Sequence, residues 1–347
     1  MKLYKLLFAI GLLLFSCKPA PEKKTEEQTT TEFSTDFTIA FGSCNKQWKT
    51  NELWQEVLKS NPDLWIWGGD IIYSDTEDME VLKDSYSVQK QNEIYADFSS
   101  KVEIMGTWDD HDFGENDAGT EYPKKEDSQQ LFLDFMDVPT DSPRRSQEGV
   151  YFSKDFVVGS NSIKIIILDT RYFRTALTED EDTDHRYKSN EYGVGTILGE
   201  AQWNWLQSEL KNSTANYNII MSSIQILSGE HGWETWANMP HELDKLIEIL
   251  KTTQAKNTII LSGDRHISDF SKKEIDGISY PLIDFTSSGL THSSTRNTGE
   301  PNQYRIGDMI NQLSFGLLKF DFSKQEILME MRGLNNELQQ SHSQNYE

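Results

Sequence analysis

With only two cysteines in 347 residues, the sequence has no basis for a disulfide framework. One of them, Cys17, falls at the end of an N-terminal leader, so Cys44 stands alone in the body of the chain without an internal partner. Basic residues are scarce too: 33 Lys and Arg against 56 Asp and Glu give a formal net charge of −23. Such a charge repels a nucleic-acid backbone and excludes an ordinary nucleic-acid-binding module; it suits bound divalent cations, or simply a solvated acidic face. Long apolar runs are missing. The one apolar stretch, residues 6–15, is too short to span ~30 Å of hydrocarbon as a helix. There is no Gly-x-Ser-x-Gly nucleophile turn, no internal repeat, and no low-complexity tract beyond the N-terminal region.

What is present begins with that leader. Lys2 and Lys5 precede the apolar run, which ends in Leu14-Phe15-Ser16-Cys17, the pattern of a secretory signal peptide over residues 1–16. Leu at −3 and Ser at −1 resemble a bacterial lipobox, which makes Cys17 a lipidation site and its lipid a membrane anchor. Phe15 is bulky for that motif, and plain secretion with a free Cys17 is the alternative. Residues 17–36, rich in Pro, Lys, Glu, Gln and Thr, read as a flexible tether. Residues 37–335 then form one large domain and residues 336–347 a polar C-terminal tail. The expected location is bacterial periplasm or outer membrane, or the cell surface. An unpaired Cys44 in an oxidising compartment is either buried in the core or a ligand.

In the body, six apolar, strand-like runs each end in polar residues. They are residues 37–41, 64–67, 102–106, 163–168, 217–221 and 258–261. Between them, residues 52–60, 124–136, 200–211 and 241–251 carry apolar residues at helical spacing, as with Leu243, Leu246, Ile247 and Leu250. Alternating strands and helices predict a mostly parallel sheet with a ligand site at the carboxyl ends of the strands. Further strands at 280–286, 315–322 and 326–331 suggest a second sheet packed on the first.

The polar clusters carry the chemistry. In Gly68-Gly69-Asp70-Ile71-Ile72-Tyr73 the glycines permit a sharp turn, Asp70 can bridge two cations, and Tyr73 lies one turn further on. Tyrosinate favours a hard trivalent ion such as Fe(III), and thiolate tolerates iron. Taken singly, Asp70 is also readable as a helix N-cap. Residues 108–117, WDDHDFGEND, gather Asp109, Asp110, Asp112, Asn116 and Asp117 around His111, a density of carboxylates that calls for neutralising cations. Gly263-Asp264-Arg265-His266 adds an oxygen and a nitrogen ligand two residues apart. Weaker candidates are Gln225 and His231, for which substrate contact and packing are equally open, as they are for Trp233 and Trp236. His185, His241 and His292 read as surface or satisfied histidines.

GSCN, GGDIIY, WDDHDFGEND, LDTRYFR and LSGDRH, in this order over roughly residues 37–290, resemble the alkaline phosphatase D (PhoD-like) family of metallophosphoesterases. The resemblance implies an α/β fold, an αββα sandwich of two mixed β-sheets flanked by helices, and an iron–calcium cluster of Fe(3+) and Ca(2+). It places Cys44, Asp70, Tyr73 and His266 on iron and Asp70, Asp110, Asn116 and Asp264 near calcium, with Asp109 and Asp117 as further candidates. By analogy with the wider superfamily, His111 is the general acid, oriented by Asp112 or another carboxylate. The chain lacks that superfamily's Asp-x-His and Gly-His-x-His motifs, as this branch does. Asp112, where many relatives carry Glu, and the acidic segment 178–185 leave substrate preference open.

Together these readings predict a metal-dependent hydrolase of phosphate esters, with cations binding the phosphate oxygens and acidifying water for in-line attack. His111 donates a proton to the leaving oxygen. Arg171 or Arg174 clamps the non-bridging oxygens, with a structural ion pair as the other role for each. Monoester and diester substrates are not separated by the ligand types, and oligomeric state is not indicated. Two rivals stand beside this: a non-enzymatic calcium-binding surface lipoprotein, and a serine esterase using Ser43 or Ser262.

Overall fold

Strands that are apolar on both faces need cover on both sides, and the chain supplies it with two stacked sheets between two layers of helices. The computed structural model describes residues 33–296 and 299–346. The leader, Cys17 and most of the tether lie outside those residues. Among the described residues, no helix is long and apolar enough to cross a membrane.

In chain order the elements are β1 (Phe37–Gly42), α1 (Leu53–Lys59), β2 (Leu64–Gly68), α2 (Met79–Gln91), α3 (Glu93–Ser99), β3 (Glu103–Thr107), α4 (Asp110–Phe113) and α5 (Lys125–Phe135). Next come β4 (Phe152–Val158), β5 (Asn161–Ile167), β6 (Thr178–Glu179), β7 (Tyr187–Lys188), α6 (Gly199–Asn212), β8 (Tyr217–Met221) and α7 (Pro240–Thr253). The chain closes with β9 (Thr258–Ser262), β10 (Ser268–Lys273), β11 (Leu282–Ser287), β12 (Arg305–Ile310), β13 (Phe315–Asp321), β14 (Glu326–Arg332) and β15 (Leu338–Asn345). One sheet has the order β15-β14-β13-β1-β2-β3, the other β12-β10-β11-β9-β8-β5-β4, and β6 with β7 makes a small separate ribbon.

Both sheets are mixed, as the family resemblance implies and unlike the mostly parallel sheet expected from strand–helix alternation. β1, β2 and β3 run parallel, while β13 joins β1 antiparallel. In the second sheet β5, β8, β9 and β11 run parallel, with antiparallel strands at both edges. The central core lies between the sheets and takes alternate residues from facing strands: Ile39 and Phe41, Leu64 and Ile66, Ile163, Ile165 and Ile167, Ile283 and Phe285. The intervening residues cover the outer faces. Trp65 and Trp67 pack on Trp54 of α1, with ring centroids 4.9 and 5.2 Å apart, and Ile166, Ile220 and Ile260 meet α6 and α7.

The C-terminal segment expected to be a polar tail is instead β15, paired antiparallel along β14. Its polar sequence reflects its place at the sheet edge, where backbone pairing on one side suffices and the side chains are exposed or half-buried. Tyr346, just beyond, is buried beside Tyr217. The domain therefore runs past residue 335 to the end of the described chain.

Candidate metal centre

The seven parallel strands of the two sheets deliver their carboxyl ends to one region, where the backbone turns sharply. Cys44, Asp70, Asp264 and His266 all have positive φ, between 51° and 66°. Left-handed backbone is uncommon at non-glycine residues, and four of the thirteen that adopt it among the described residues are expected ligands. Gly69, at φ +92°, passes so close to the next loop that an added Cβ would sit 2.4 Å from the Asp109 Cβ.

The side chains converge. Asp70 Oδ2 lies 3.4 Å from Cys44 Sγ and accepts from the Tyr73 hydroxyl at 2.8 Å. That hydroxyl is also 3.1 Å from His266 Nε2. Three overlapping groups have ligand atoms close enough to share an ion: Cys44, Asp70 and His266; Asp70, Asp110 and His111; and Asp109, Asp110 and Asp264. The expected ligands are therefore brought together, with Asn116 exposed on the rim of the adjoining cleft.

The residues fit a cation cluster on independent grounds. Asp70 Oδ1 and Asp109 Oδ2 are buried without a hydrogen-bond partner. Burial, then the neighbouring Cys44, pushes the Asp70 carboxyl well above its ordinary range. Burial and the nearby Asp110 and Glu234 charges lift Asp264 to about 7 against the pull of Arg265, and burial drives the Cys44 thiol up to about 12. Asp110 goes the other way: burial is outweighed by Arg171, His111 and the Asp117 N–H, which bring it to about 2. Packed anionic groups held out of water, two of them with an oxygen that no proton donor reaches, suit cations.

Several sequence expectations are corrected here. Asp112 does not orient His111. Its carboxylate accepts from the backbone N–H groups of Asp70, Ile71 and Asp109 at 3.2, 3.1 and 2.6 Å, stitching two ligand loops together. The carboxylate on His111 is Asp75, with both oxygens 2.8 Å from Nδ1. Arg171 and Arg174 do not face the cleft: both are fully buried, Arg171 on Asp109 and Glu234 (2.5 and 2.6 Å) and Arg174 on Glu234 (2.8 Å). Of the two roles open to them, the structure has the ion pair. Gln225 is likewise buried, donating to Thr286 and Asp269. His292, read as a surface or satisfied residue, packs into the centre, its Nε2 3.2 Å from that of His266.

Sequence reasoning missed Asp75, Glu234 and Lys46, whose ammonium sits 5.0 Å over the Tyr73 ring. The expected site residue His231 does line the cleft, with Trp233, Arg186 and Arg265. This cleft of about 900 Å³ opens directly from Asp110, His111, Asp264 and His266. Asp117 forms part of its wall, accepting from Tyr187 and pairing with Arg186 at 2.8 and 2.9 Å.

Comparisons with known proteins identify what the chain is similar to. The family model for PhoD-like phosphatase matches residues 39–314. Alkaline phosphatase D of Bacillus subtilis (strain 168) is 23% identical over 279 residues, covering 69% of this chain and 47% of that protein, so the chain spans about half its relative's length. A solved structure of PhoD superposes with a TM-score of 0.72 at 18% identity, covering 89% of this chain and 70% of the other. A dimetal phosphatase from Danio rerio matches at a TM-score of 0.54 and 12% identity, over 90% of this chain and 100% of that one. At those identities the structural likenesses speak for the fold. The family model, which takes in most of the described domain, settles membership: the chain belongs to the PhoD-like phosphatase family.

Proposed function

We propose that this chain is an exported, metal-dependent hydrolase of phosphate esters, holding iron at Cys44, Asp70, Tyr73 and His266 and calcium near Asp70, Asp110, Asn116 and Asp264. One observation carries the reading: Asp70 and Asp110 each belong to two of the three groups able to share an ion, so the donor set is continuous, as a cluster requires. What cations supply at such a site is Lewis acidity toward phosphoryl oxygens and toward the attacking water. The chain's own residues do the rest. His111 lines the cleft beside Asp110 and Asp264, where it can protonate a leaving oxygen. Burial works against its charged form, but Asp70, Asp75 and Asp110 outweigh it and lift the imidazole to about 10.

Cys44 and Tyr73 suit the iron assignment as thiolate and phenolate donors, and burial keeps both protonated in the metal-free fold. The cleft has room for an ester with a sizeable alcohol arm, with Trp233 and His231 on its wall. Export and anchoring through Cys17 are inferred from the leader, and with this chemistry they fit phosphorus scavenging or cleavage of phospholipid-type diesters.

The test is elemental mass spectrometry on the purified protein and its Cys44→Ala variant, alongside hydrolysis of 4-nitrophenyl phosphate and bis(4-nitrophenyl) phosphate. Iron and calcium should co-purify, the variant should lose iron selectively, and at least one ester should be cleaved. A protein that binds calcium alone and cleaves neither ester is the surface binding protein instead.

A further inference from the structure

Asp75 lies outside every motif the sequence offers, yet it makes the closest polar contact to His111. Both its oxygens are 2.8 Å from His111 Nδ1, and among the described residues no other group bonds that nitrogen. The contact belongs to a larger cradle. The Tyr73 ring stacks on the imidazole with centroids 4.1 Å apart, Ser74 N–H donates to the His111 carbonyl at 3.2 Å, and Tyr122 hydroxyl pins the Thr76 carbonyl at 2.6 Å. Asp75 itself adopts φ 46°, a left-handed conformation that Asp and Asn tolerate best among side-chain-bearing residues. Three consecutive residues, 73 to 75, thus contact one histidine, Thr76 beside them is tied to Tyr122, and the first of the three is an expected metal ligand.

Asp75 is 43% exposed, and pairs open to solvent on one side contribute little to folding. Stability is therefore a poor account of a bidentate contact held by strained backbone. Its chemical effect is definite: a carboxylate on Nδ1 fixes the N–H there, holds the ring plane, and commits Nε2 to the cleft that His111 lines.

Resting on the phosphoesterase reading above, we propose that Asp75 is the positioning residue for His111, and that the loop 73–76 couples the tyrosine of the metal centre to the acid that protonates the leaving group. In that step the phosphorus–alcohol oxygen bond breaks and its electron pair stays on the leaving oxygen. The Nε2 proton moves to that oxygen, while the attacking water oxygen bonds to phosphorus and its proton passes to solvent.

Proton donation matters most when the leaving alcohol is poor, which gives a readout that a purely structural role does not move. In the full-length protein, Asp75→Asn keeps the left-handed backbone and the shape but removes the charge. Expected is a fall in kcat of about 10- to 100-fold on simple alkyl phosphate esters, with KM little changed and 4-nitrophenyl esters much less affected. His111→Asn should show the same leaving-group dependence, the double variant should be no worse than His111→Asn alone, and Asp75→Glu should recover part of the loss. Equal losses on all leaving groups, or additive effects in the double variant, would overturn the positioning role while leaving the phosphoesterase reading standing. A wild-type protein inactive on every ester would overturn both.

Discussion

Replacing Asp70 by Asn should lower kcat/KM on any cleaved ester by at least about 10³-fold, equivalent to roughly 4 kcal/mol of transition-state stabilisation. Asp70 is buried to 1% exposure, and its carboxylate joins the Cys44 and Tyr73 side to the Asp110 side. An amide keeps the shape and removes the charge that two cations would share in the proposed cluster. The same substitution should have the opposite effect on folding. Burial and neighbouring negative charge make ionised Asp70 costly in the metal-free fold, so metal-free Asp70→Asn should melt above metal-free wild type. Added metal should then raise the wild-type Tm and leave that of the variant largely where it was. A variant that still co-purifies with its full metal complement and keeps wild-type turnover would remove Asp70 from the centre.

The second large effect is expected at Arg171. Its guanidinium is wholly buried between Asp109 and Glu234 and also donates to the Ala118 carbonyl at 3.4 Å. Arg171→Met leaves buried Asp109 without its cation, while Glu234 keeps Arg174, and breaking a buried pair in this way costs about 3–5 kcal/mol. A fall in Tm of roughly 10 °C should follow, and adding Asp109→Asn, which removes the carboxylate left unpaired, should recover part of it. The measurement is a thermal melt of both variants beside a steady-state assay. A large rise in KM with an unchanged melt would reinstate Arg171 as a phosphate clamp. Because Arg171 also holds Asp109, some activity should fall with the stability. The order of magnitude of each loss separates the two roles.

Why the sequence left Arg171 between two roles while it brought Asp70 forward as a ligand candidate is a matter of direction. Both follow the end of an apolar strand. At Asp70 the preceding glycines mark a sharp turn, and the next expected ligand, Tyr73, lies three residues on. At Arg171 the partner that turns the side chain inward is Glu234, 63 residues away on a loop with no signature of its own. The acidic run 108–117 shows the same limit within one motif. Asp109 and Asp110 enter the centre, Asp112 accepts backbone N–H groups beneath it, and Asp117 holds the cleft wall. Four identical side chains take three roles, decided by the turn of a four-residue helix and by which N–H groups happen to face them. Strand ends were legible because buried strands must be apolar. α2, with only Leu82 and Tyr86 as buried large residues, and the polar strand β15 were not, since neither needs a strong apolar pattern to be covered.

The pairing of β1 with β13 sets an order of events. Phe37 to Phe41 lie against Phe320 to Gly316, so the second strand pairing of the earliest sheet strand waits until almost the whole chain has been made. β14 and β15 must follow before that sheet reaches its edge, and Tyr346 fills its place beside Tyr217 last of all. A nascent chain of this topology has no complete central core to close around, because contacts of such long sequence separation form late and slowly. A chain of this topology stays open until its last strands arrive, and the candidate ligand loops, which depend on both sheets, take their places only once those strands have paired.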